Sequence, residues 1–368
     1  MRNKILIVAA GGVVGLLGVM LVALGNPANM GYCIACFLRD ISGALGLHRA
    51  APVQYLRPEI IGLVLGAFAS ALVSRDFRVV GGSNTLARFT LAFFGIIGML
   101  VFLGCPLRMV YRLAGGDLNA LVGFAGLIVG IVIGTMFLKQ GYSLGRAIPQ
   151  NKGAGYIFPI IAIILLGFLL IKPAFIFFSQ EGPASMHAPI IISLAAGLLV
   201  GVLAQRSRLC MVGGIRDLIF FRDTHLLSGF VVMLVVATIG NLIMGNFTLG
   251  FEQQPIAHND GLWNFLGMTL AGFAAILLGG CPLRQIISAS EGNTDSVITV
   301  LGFIAGAAFA HNFGLAASGS GVPGSGQIAV IIGLLVVLAI AIIGLQGSKA
   351  LGGNVDAKDS RRSGSVLS

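Results

Sequence analysis

The chain has 368 residues, of which 57% are hydrophobic and only 10% are charged, with a formal net charge of +10 and a mean hydropathy of +0.97. Soluble domains carry about 25% charged residues, so the composition excludes an ordinary soluble domain. The positive charge does not indicate nucleic-acid binding, because basic residues of a membrane protein mostly mark cytoplasmic loops and contact anionic lipid headgroups.

Ten apolar runs along the chain are each near the roughly 20 residues that a helix needs to cross a bilayer. The first has a basic start but no convincing cleavage site, so we interpret it as a span rather than a signal peptide. Most of the 23 Lys and Arg residues then fall on the side of the N-terminus, which predicts that both termini are cytoplasmic. The predicted spans are 5–25, 58–74, 88–104, 118–138, 157–178, 188–205, 226–246, 262–280, 296–314 and 327–347.

Three blocks of the sequence occur twice, in the same order. "CIACFLRD" at 33–40 matches "CMVGGIRD" at 210–217, at an offset of 177. "GCPLR" recurs at 104–108 and 280–284, and "GLIVG" at 126–130 matches "GFIAG" at 302–306, both at an offset of 176. Such a constant offset indicates a tandem duplication.

An odd number of spans separates the two copies, so the halves are predicted to enter the membrane in opposite directions. We therefore expect an all-α polytopic membrane protein with two inverted repeats and four re-entrant or half-helix segments that contain cysteine. Inverted repeats place a substrate site near the membrane midplane, between the halves, which is typical of transporters and channels. The predicted units are residues 1–150 as the first repeat, 151–187 as a connecting span, 188–347 as the second repeat and 348–368 as a disordered cytoplasmic tail.

The repeated "GCPLR" block interrupts an apolar run with residues that begin a short helix. Proline suits the first helical turn, and the preceding glycine allows a turn before it. The cysteine between them would lie at a helix N-terminus, whose free N–H groups attract anions. The candidate substrate-binding residues of the two blocks are Gly104, Cys105, Pro106, Arg108, Gly280, Cys281, Pro282 and Arg284.

The other repeated block contributes Cys33, Cys36 and Cys210, and its second cysteine has no counterpart because Gly213 stands there. A single cysteine in such surroundings is more often a packing residue, but two symmetric pairs in Gly/Pro breaks favour a functional role. The Cys33/Cys36 pair fits redox chemistry or a metal half-site as well. The five scattered histidines give no metal-ligand spacing.

The arginines of these blocks have structural alternatives. Arg39–Asp40 and Arg216–Asp217 fit ion pairs that end re-entrant helices. For the arginines of "GCPLR", anchoring at lipid headgroups and attraction of an anion are both open. The "GLIVG" and "GFIAG" blocks are typical of close helix packing.

These blocks resemble the YeeE/YedE family of membrane transporters, over the whole chain except the tail. The stretches "NPANMGYCIACFLRD", "LRPEIIGLVLGA", "GCPLRMVYRLAGGDLNA", "QRSRLCMVGGIRD" and the second "GCPLR" are similar to its selenium-metabolism branch. The resemblance implies an hourglass-shaped path with re-entrant segments from both faces, along which a row of cysteines passes thiosulfate by S–H hydrogen bonds. It also implies that Cys36 is an extra thiol of the selenium-linked branch.

The sequence and the resemblance together predict a transporter, not an enzyme, that imports a small sulfur- or selenium-containing anion across a bacterial cytoplasmic (inner) membrane. A cytoplasmic carrier of persulfide or selenium, of the sulfurtransferase-accessory kind, is the implied partner. No cofactor is expected, and no ATP-binding glycine-rich loop occurs, which leaves an ion gradient, the anion gradient or consumption inside as driving force. A passive anion channel and a membrane-embedded thiol or persulfide redox enzyme are the alternatives.

Overall fold

In the computed structural model, the backbone is described for residues 2–364 and the side chains for residues 4–346. The described part is mostly helical, and ten of its helical segments are long and apolar enough to cross a membrane. The prediction of ten spans is thus confirmed. The predicted tail, 348–368, lies outside the residues whose side chains are described and stays a prediction.

The helices of the first half are long spans and two short helices, each short one following a break in the apolar pattern. Their bounds are α1 (Arg2–Ala23), α2 (Ile34–Ala44), α3 (Pro58–Val73), α4 (Thr85–Val101), α5 (Pro106–Ala114), α6 (Asn119–Lys139) and α7 (Ile157–Ile171). Two-residue strands, β1 (Val80–Gly81) and β2 (Ile148–Pro149), pair antiparallel and tie two loops together.

The second half repeats this order of long and short helices. Its elements are α8 (Ile190–Ser207), α9 (Met211–Phe221), α10 (His225–Ile243), α11 (Gly261–Leu277), α12 (Pro282–Ser290), α13 (Thr294–Asn312) and α14 (Gly324–Gly364). The predicted boundaries of the two repeats and of the connecting span stay predictions.

Equivalent helices of the two halves run in opposite directions. The crossing of α4 and α11 shows this, because Gly95 packs on Ala274 while Gly98 packs on Gly267, so residue numbers fall on one helix as they rise on the other. At another point, the backbone N–H of Ala188, just before α8, donates to Asn26 Oδ1, just after α1, at 2.9 Å. The structure therefore has the inverted arrangement that the odd number of spans predicted.

The halves are intertwined rather than side by side. Helix α1 packs on α10 and α3 on α8, and in the same reciprocal way α4 packs on α13 and α6 on α11. Glycines make these contacts close: Gly126 and Gly130 of α6 lie against the backbone of α11, and Gly302 and Gly306 of α13 lie against α4. The predicted packing role of "GLIVG" and "GFIAG" is confirmed.

The four short helices lie at the interface between the halves. Helix α2 packs on α13 and α5 on α10, while α9 packs on α6 and α12 on α3. Each short helix thus contacts a span of the other half. Backbone that is not helical at membrane depth is tolerated only where protein or a cavity covers it, and this interface provides that cover.

Candidate functional site

Cysteine occupies the N-cap of all four short helices. Cys33 begins α2, and its sulfur accepts a hydrogen bond from the backbone N–H of Cys36 at 3.3 Å. Cys210 begins α9, and its sulfur accepts from the N–H of Gly213, also at 3.3 Å. The loss of the second cysteine in this repeat therefore does not change the cap. Each capping sulfur therefore accepts a hydrogen bond from the backbone of its own helix.

The "GCPLR" blocks form the predicted half-helices. Cys105 and Cys281 are N-caps, and Pro106 and Pro282 are the first residues of α5 and α12, so the predicted helix N-termini are confirmed. Gly104 and Gly280 close the preceding helices through N–H bonds of 2.8 and 2.9 Å to the carbonyls of Met99 and Ala275. A Cβ at either glycine would meet the arginine four residues later, which folds back over the turn.

Three thiols form an outer thiol cluster, defined here as Cys33, Cys36 and Cys105. All three side chains are buried, and Cys33 interacts with both other thiols. On the predicted topology, the cluster is reached from the outer face. The structure thus brings together residues that are up to 72 positions apart in the chain.

The inner thiol pair consists of Cys210 and Cys281, whose sulfur atoms are 3.7 Å apart. This separation is a contact between thiols, and all five cysteines of the chain are free. The thiols of the chain therefore form two groups, one from each half, at the N-termini of the short helices.

Arg108 is a fully buried guanidinium beside the outer thiol cluster. It donates to the thiol of Cys36 at 3.6 Å, to the carbonyls of Asn29 and Ile256 at 3.1 Å each, and to the carbonyl of Leu103. Among the described residues, no carboxylate forms an ion pair with it. Anchoring at lipid headgroups, one of the two alternatives from the sequence, is excluded for Arg108 because its side chain has no exposed surface.

Arg284, the equivalent arginine of the second half, has a different environment. Its Nη2 donates to Glu291 Oε2 at 2.9 Å, and its Nη1 is buried without a hydrogen-bond partner. Glu291 Oε1 also lies 3.7 Å from Arg208, and it accepts from Gln205 Nε2 at 3.3 Å. The inner arginine is therefore paired with a carboxylate that Arg208 also approaches, and one of its nitrogen atoms keeps an unused donor.

Further ion pairs lie on the short helices. Asp40 is buried and accepts from Arg39 and from Arg57, at 2.7 Å each. Asp217 pairs with Arg216 at 2.7 Å, and both of these side chains are partly exposed. Both predicted ion pairs, Arg39–Asp40 and Arg216–Asp217, are confirmed.

The pair of Arg112 and Asp117, at 2.6 Å and fully buried, was not anticipated from the sequence. An available signal was that ionisable residues at membrane depth are rare and usually paired. Glu291, which pairs with Arg284, was missed for the same reason. Among the residues that the structure describes, no three His, Cys, Asp or Glu side chains are grouped as metal ligands.

Part of the chain is similar to a known protein family. Residues 206–348 match the family model described as "Sulphur transport". The predicted resemblance to this family of transporters is confirmed. The match covers α9 to α13 and parts of the neighbouring helices, and therefore includes the inner thiol pair, Arg284 and Glu291.

Three relatives are similar to parts of the chain. "Thiosulfate transporter TsuA" of Escherichia coli is 24% identical over 123 residues, which is 32% of this chain and 33% of the relative. The protein of the same name from Spirochaeta thermophila is 27% identical over 114 residues, 31% of this chain and 34% of the relative. "Probable transporter YedE" of Escherichia coli is 28% identical over 135 residues, 36% of this chain and 33% of the relative.

The chain thus spans about a third of the length of the curated relatives that it matches. Each of the three is named a transporter, in agreement with the prediction that the chain is not an enzyme.

Proposed function

We propose that this protein imports a small sulfur- or selenium-containing anion, such as thiosulfate or a selenium analogue, through its two groups of thiols. The observation that carries the proposal is that buried thiols cap the short helices at the interface of two inverted halves. The first half contributes the caps Cys33 and Cys105, and the second contributes Cys210 and Cys281, whose sulfur atoms are 3.7 Å apart. On this proposal, the anion passes from the outer thiol cluster to the inner thiol pair.

Thiols at helix N-termini suit a soft anion that carries sulfur or selenium. The S–H group is a weak hydrogen-bond donor, and the N-terminus of a helix presents N–H groups and the positive end of its dipole. The sulfur atoms of Cys33 and Cys210 accept from backbone N–H groups, and the S–H of Cys210, which points to Cys281 at 3.7 Å, would turn to the anion when it binds. Weak donors in sequence bind the anion without holding it too tightly for release.

The charge of Arg108 attracts the anion to the outer thiol cluster. Its hydrogen-bond acceptors are neutral carbonyls and a thiol, so its positive charge is not cancelled by a described carboxylate. A buried charge acts more strongly than one in water because the surrounding dielectric is low. We propose Arg108 as the electrostatic attractor and the thiols as the hydrogen-bond donors.

The cellular setting is proposed from the topology and the relatives. Two of the relatives are named thiosulfate transporters, which supports thiosulfate as the first anion to test. The additional thiol of Cys36 supports a selenium-containing analogue as the second. We place the protein in the cytoplasmic (inner) membrane of a bacterium with both termini inside, where a cytoplasmic carrier of persulfide or selenium would receive the anion.

Uptake into proteoliposomes tests the proposal. Labelled thiosulfate, selenite and selenosulfate are offered to the wild type, to Cys105→Ala and to Cys281→Ala. The matched control is Ser193→Ala, which removes a buried hydroxyl group that makes no hydrogen bond and lies on α8. We expect saturable uptake of at least one anion, lost about tenfold or more in both cysteine variants and unchanged in the control, since each thiol contributes one hydrogen bond to the bound anion.

The same assay separates the rival functions. Uptake that stays linear with concentration would indicate a passive channel. Turnover of a redox partner by Cys33 and Cys36 without movement of any anion would indicate a thiol enzyme. Full uptake in both cysteine variants would show that these thiols only fill space, and the proposed mechanism would fail.

A further inference from the structure

Glu59 is a fully buried carboxylate in the first turn of α3. Its Oε1 accepts a hydrogen bond from Asn26 Nδ2 at 2.9 Å, whereas its Oε2 has no hydrogen-bond partner. Among the described residues, no basic side chain forms an ion pair with it. An unpaired carboxylate in a membrane-embedded core calls for an explanation, because buried charges are normally paired or neutralised.

Two further buried oxygen atoms without partners lie in the same neighbourhood. The hydroxyl groups of Tyr32 and Tyr55 are both buried and make no hydrogen bond, and both interact electrostatically with Glu59. Buried hydroxyl and carboxylate groups are almost always satisfied in native proteins. The unsatisfied Oε2 of the fully buried Glu59 therefore indicates a ligand that binds to this carboxylate.

The charged and titratable groups around Glu59 are engaged elsewhere or lie apart from it. Among the described residues, none of them supplies a positive charge to this carboxylate. Arg57 is bound to Asp40 at 2.7 Å and lies over the ring of Tyr55, and His187 stacks on the same ring. The contacting segment of α8 presents the backbone of Gly197, and α7 has no ionisable side chain. The acidic and basic residues of α12 lie at the opposite end of α3, where the backbone of Glu291 bonds Arg78.

We propose that Glu59 binds a proton from the outer side and that this proton is carried inward together with the anion. The inference rests on the proposed transport function and adds its driving force. A carboxylate takes up the proton at Oε2 and becomes neutral, so the buried cluster loses its uncompensated charge. Tyr32, whose hydroxyl interacts electrostatically with Glu59, directly precedes Cys33 of the outer thiol cluster in the chain.

A co-transported proton lowers the electrostatic cost of moving the anion inward. An inside-negative membrane potential opposes the entry of a dianion such as thiosulfate, and each co-transported proton removes one unit of the opposing charge. An anion on the outer thiol cluster also favours the protonated form of the nearby carboxyl group, which couples the two binding events in both directions. The second half has no such group, because the repeat offset of 176 or 177 places Val235 or Val236 at the equivalent position.

Two transport modes in proteoliposomes test this inference. The first is accumulation of labelled thiosulfate driven by an acidic outside solution, with a trapped pH dye reporting proton entry. The second is exchange of labelled for unlabelled thiosulfate at equal pH, which needs no net proton movement. The variant is Glu59→Gln, and the matched control is Glu181→Gln, an exposed carboxylate on a loop of the same predicted face.

For Glu59→Gln we expect accumulation and thiosulfate-dependent proton entry to fall about tenfold or more while exchange stays within about twofold of the wild type. The control should behave as the wild type in both modes. Retained exchange shows that the variant is folded and binds the anion, so its failure to accumulate is a loss of coupling.

Several results would overturn the inference. These are uptake by the wild type without proton entry, accumulation that requires Na⁺ instead, unchanged accumulation in Glu59→Gln, or loss of exchange together with accumulation. If the wild type moves none of the tested anions in either mode, the proposed transport function itself fails and the proton site fails with it.

Discussion

The outer thiol cluster and the inner thiol pair are built from the same repeated blocks but differ in charge. Next to the outer cluster, Arg108 is fully buried and bonds carbonyls and a thiol. Next to the inner pair, Arg284 is bound to the carboxylate of Glu291 at 2.9 Å. Duplication thus preserved the backbone and the thiols while the surrounding charges diverged.

On the proposed function, this difference makes anion binding unequal at the two ends of the scaffold. A positive charge without a carboxylate would bind an anion at the outer cluster more strongly than an arginine paired with a carboxylate would bind it at the inner pair. An anion at the inner pair would compete with Glu291 for Arg284, which would favour its release there. Under this proposal, the helix geometry sets where the anion binds and the carboxylates set how strongly.

The largest expected effect follows from removing the outer charge. Arg108→Gln keeps some hydrogen-bond donors but no charge, so we expect anion uptake to fall about 100-fold, in line with loss of a charge-assisted interaction of about 3 kcal/mol. Arg284→Gln removes a charge that Glu291 already cancels, and we expect a loss of about fivefold or less. Initial rates of uptake at several anion concentrations measure both. Equal losses in the two variants would contradict the proposed asymmetry.

The second prediction concerns the scaffold, which should respond equally in both halves. Gly130 packs on the backbone of α11 and Gly306 on that of α4, so a methyl group at either position pushes two helices apart. We expect Gly130→Ala and Gly306→Ala each to destabilise the fold by about 2–3 kcal/mol.

Thermal unfolding in detergent, followed by circular dichroism, measures this effect. Gly167→Ala serves as control, because a Cβ on this residue of α7 meets no atom within 4 Å. It should leave the midpoint unchanged or raise it slightly, since alanine favours helix over glycine. A large effect in one half and none in the other would show that the scaffold is not energetically symmetric.

The smallest expected effect is a pH dependence of stability confined to the outer side. His48 is buried, its Nδ1 accepts the N–H of Ala50 at 3.3 Å, and its Nε2 therefore donates to the carbonyl of Arg39 at 3.0 Å. Desolvation by burial lowers the pKa of His48; the hydrogen bond to the backbone carbonyl of Arg39 opposes this, the charge of Arg39 adds to it, and Asp40 opposes it. The folded protein therefore prefers neutral His48, and the stability that this residue contributes is lost as the pH falls below about 6.5, its ordinary pKa.

The expected size is about 1–2 °C in the unfolding midpoint between pH 7.5 and 5.5. His48→Asn should reduce the drop on acidification. His225, which the repeat offset of 177 places at the equivalent position, is only partly buried at the start of α10, and His225→Asn should keep the drop of the wild type. The idea fails if His48→Asn retains the full pH dependence.

Much of the fold followed from local patterns in the sequence. The apolar runs gave the spans, and the Gly–Cys–Pro order gave the N-caps at Cys105 and Cys281, because proline is confined to the first turn of a helix. The inverted arrangement followed from the number of spans between two copies of one block. These features depend on residues that are close together in the chain.

The pairing of groups from distant segments did not follow. The hydrogen bond of Asn26 with Glu59, the contact of Cys210 with Cys281 and the hydrogen bond of Arg108 with the carbonyl of Asn29 join residues 33, 71 and 79 positions apart. No local pattern fixes such pairs, since they depend on how the two halves interlock. The sequence indicated both alternatives for Arg108, and only its burial excluded one of them.

The exchange of helix partners between the halves has a consequence for biosynthesis. Helix α1 finds its glycine-lined partner surface on α10, and α3 finds its own on α8, so the first half inserts into the bilayer before its partners exist. The nascent chain must hold these surfaces against lipid until residues up to 243 have left the ribosome, because synthesis proceeds from the N-terminus. Neither half is a finished unit, and the ancestral single repeat would have needed a second copy of itself in the opposite orientation to close the same surfaces.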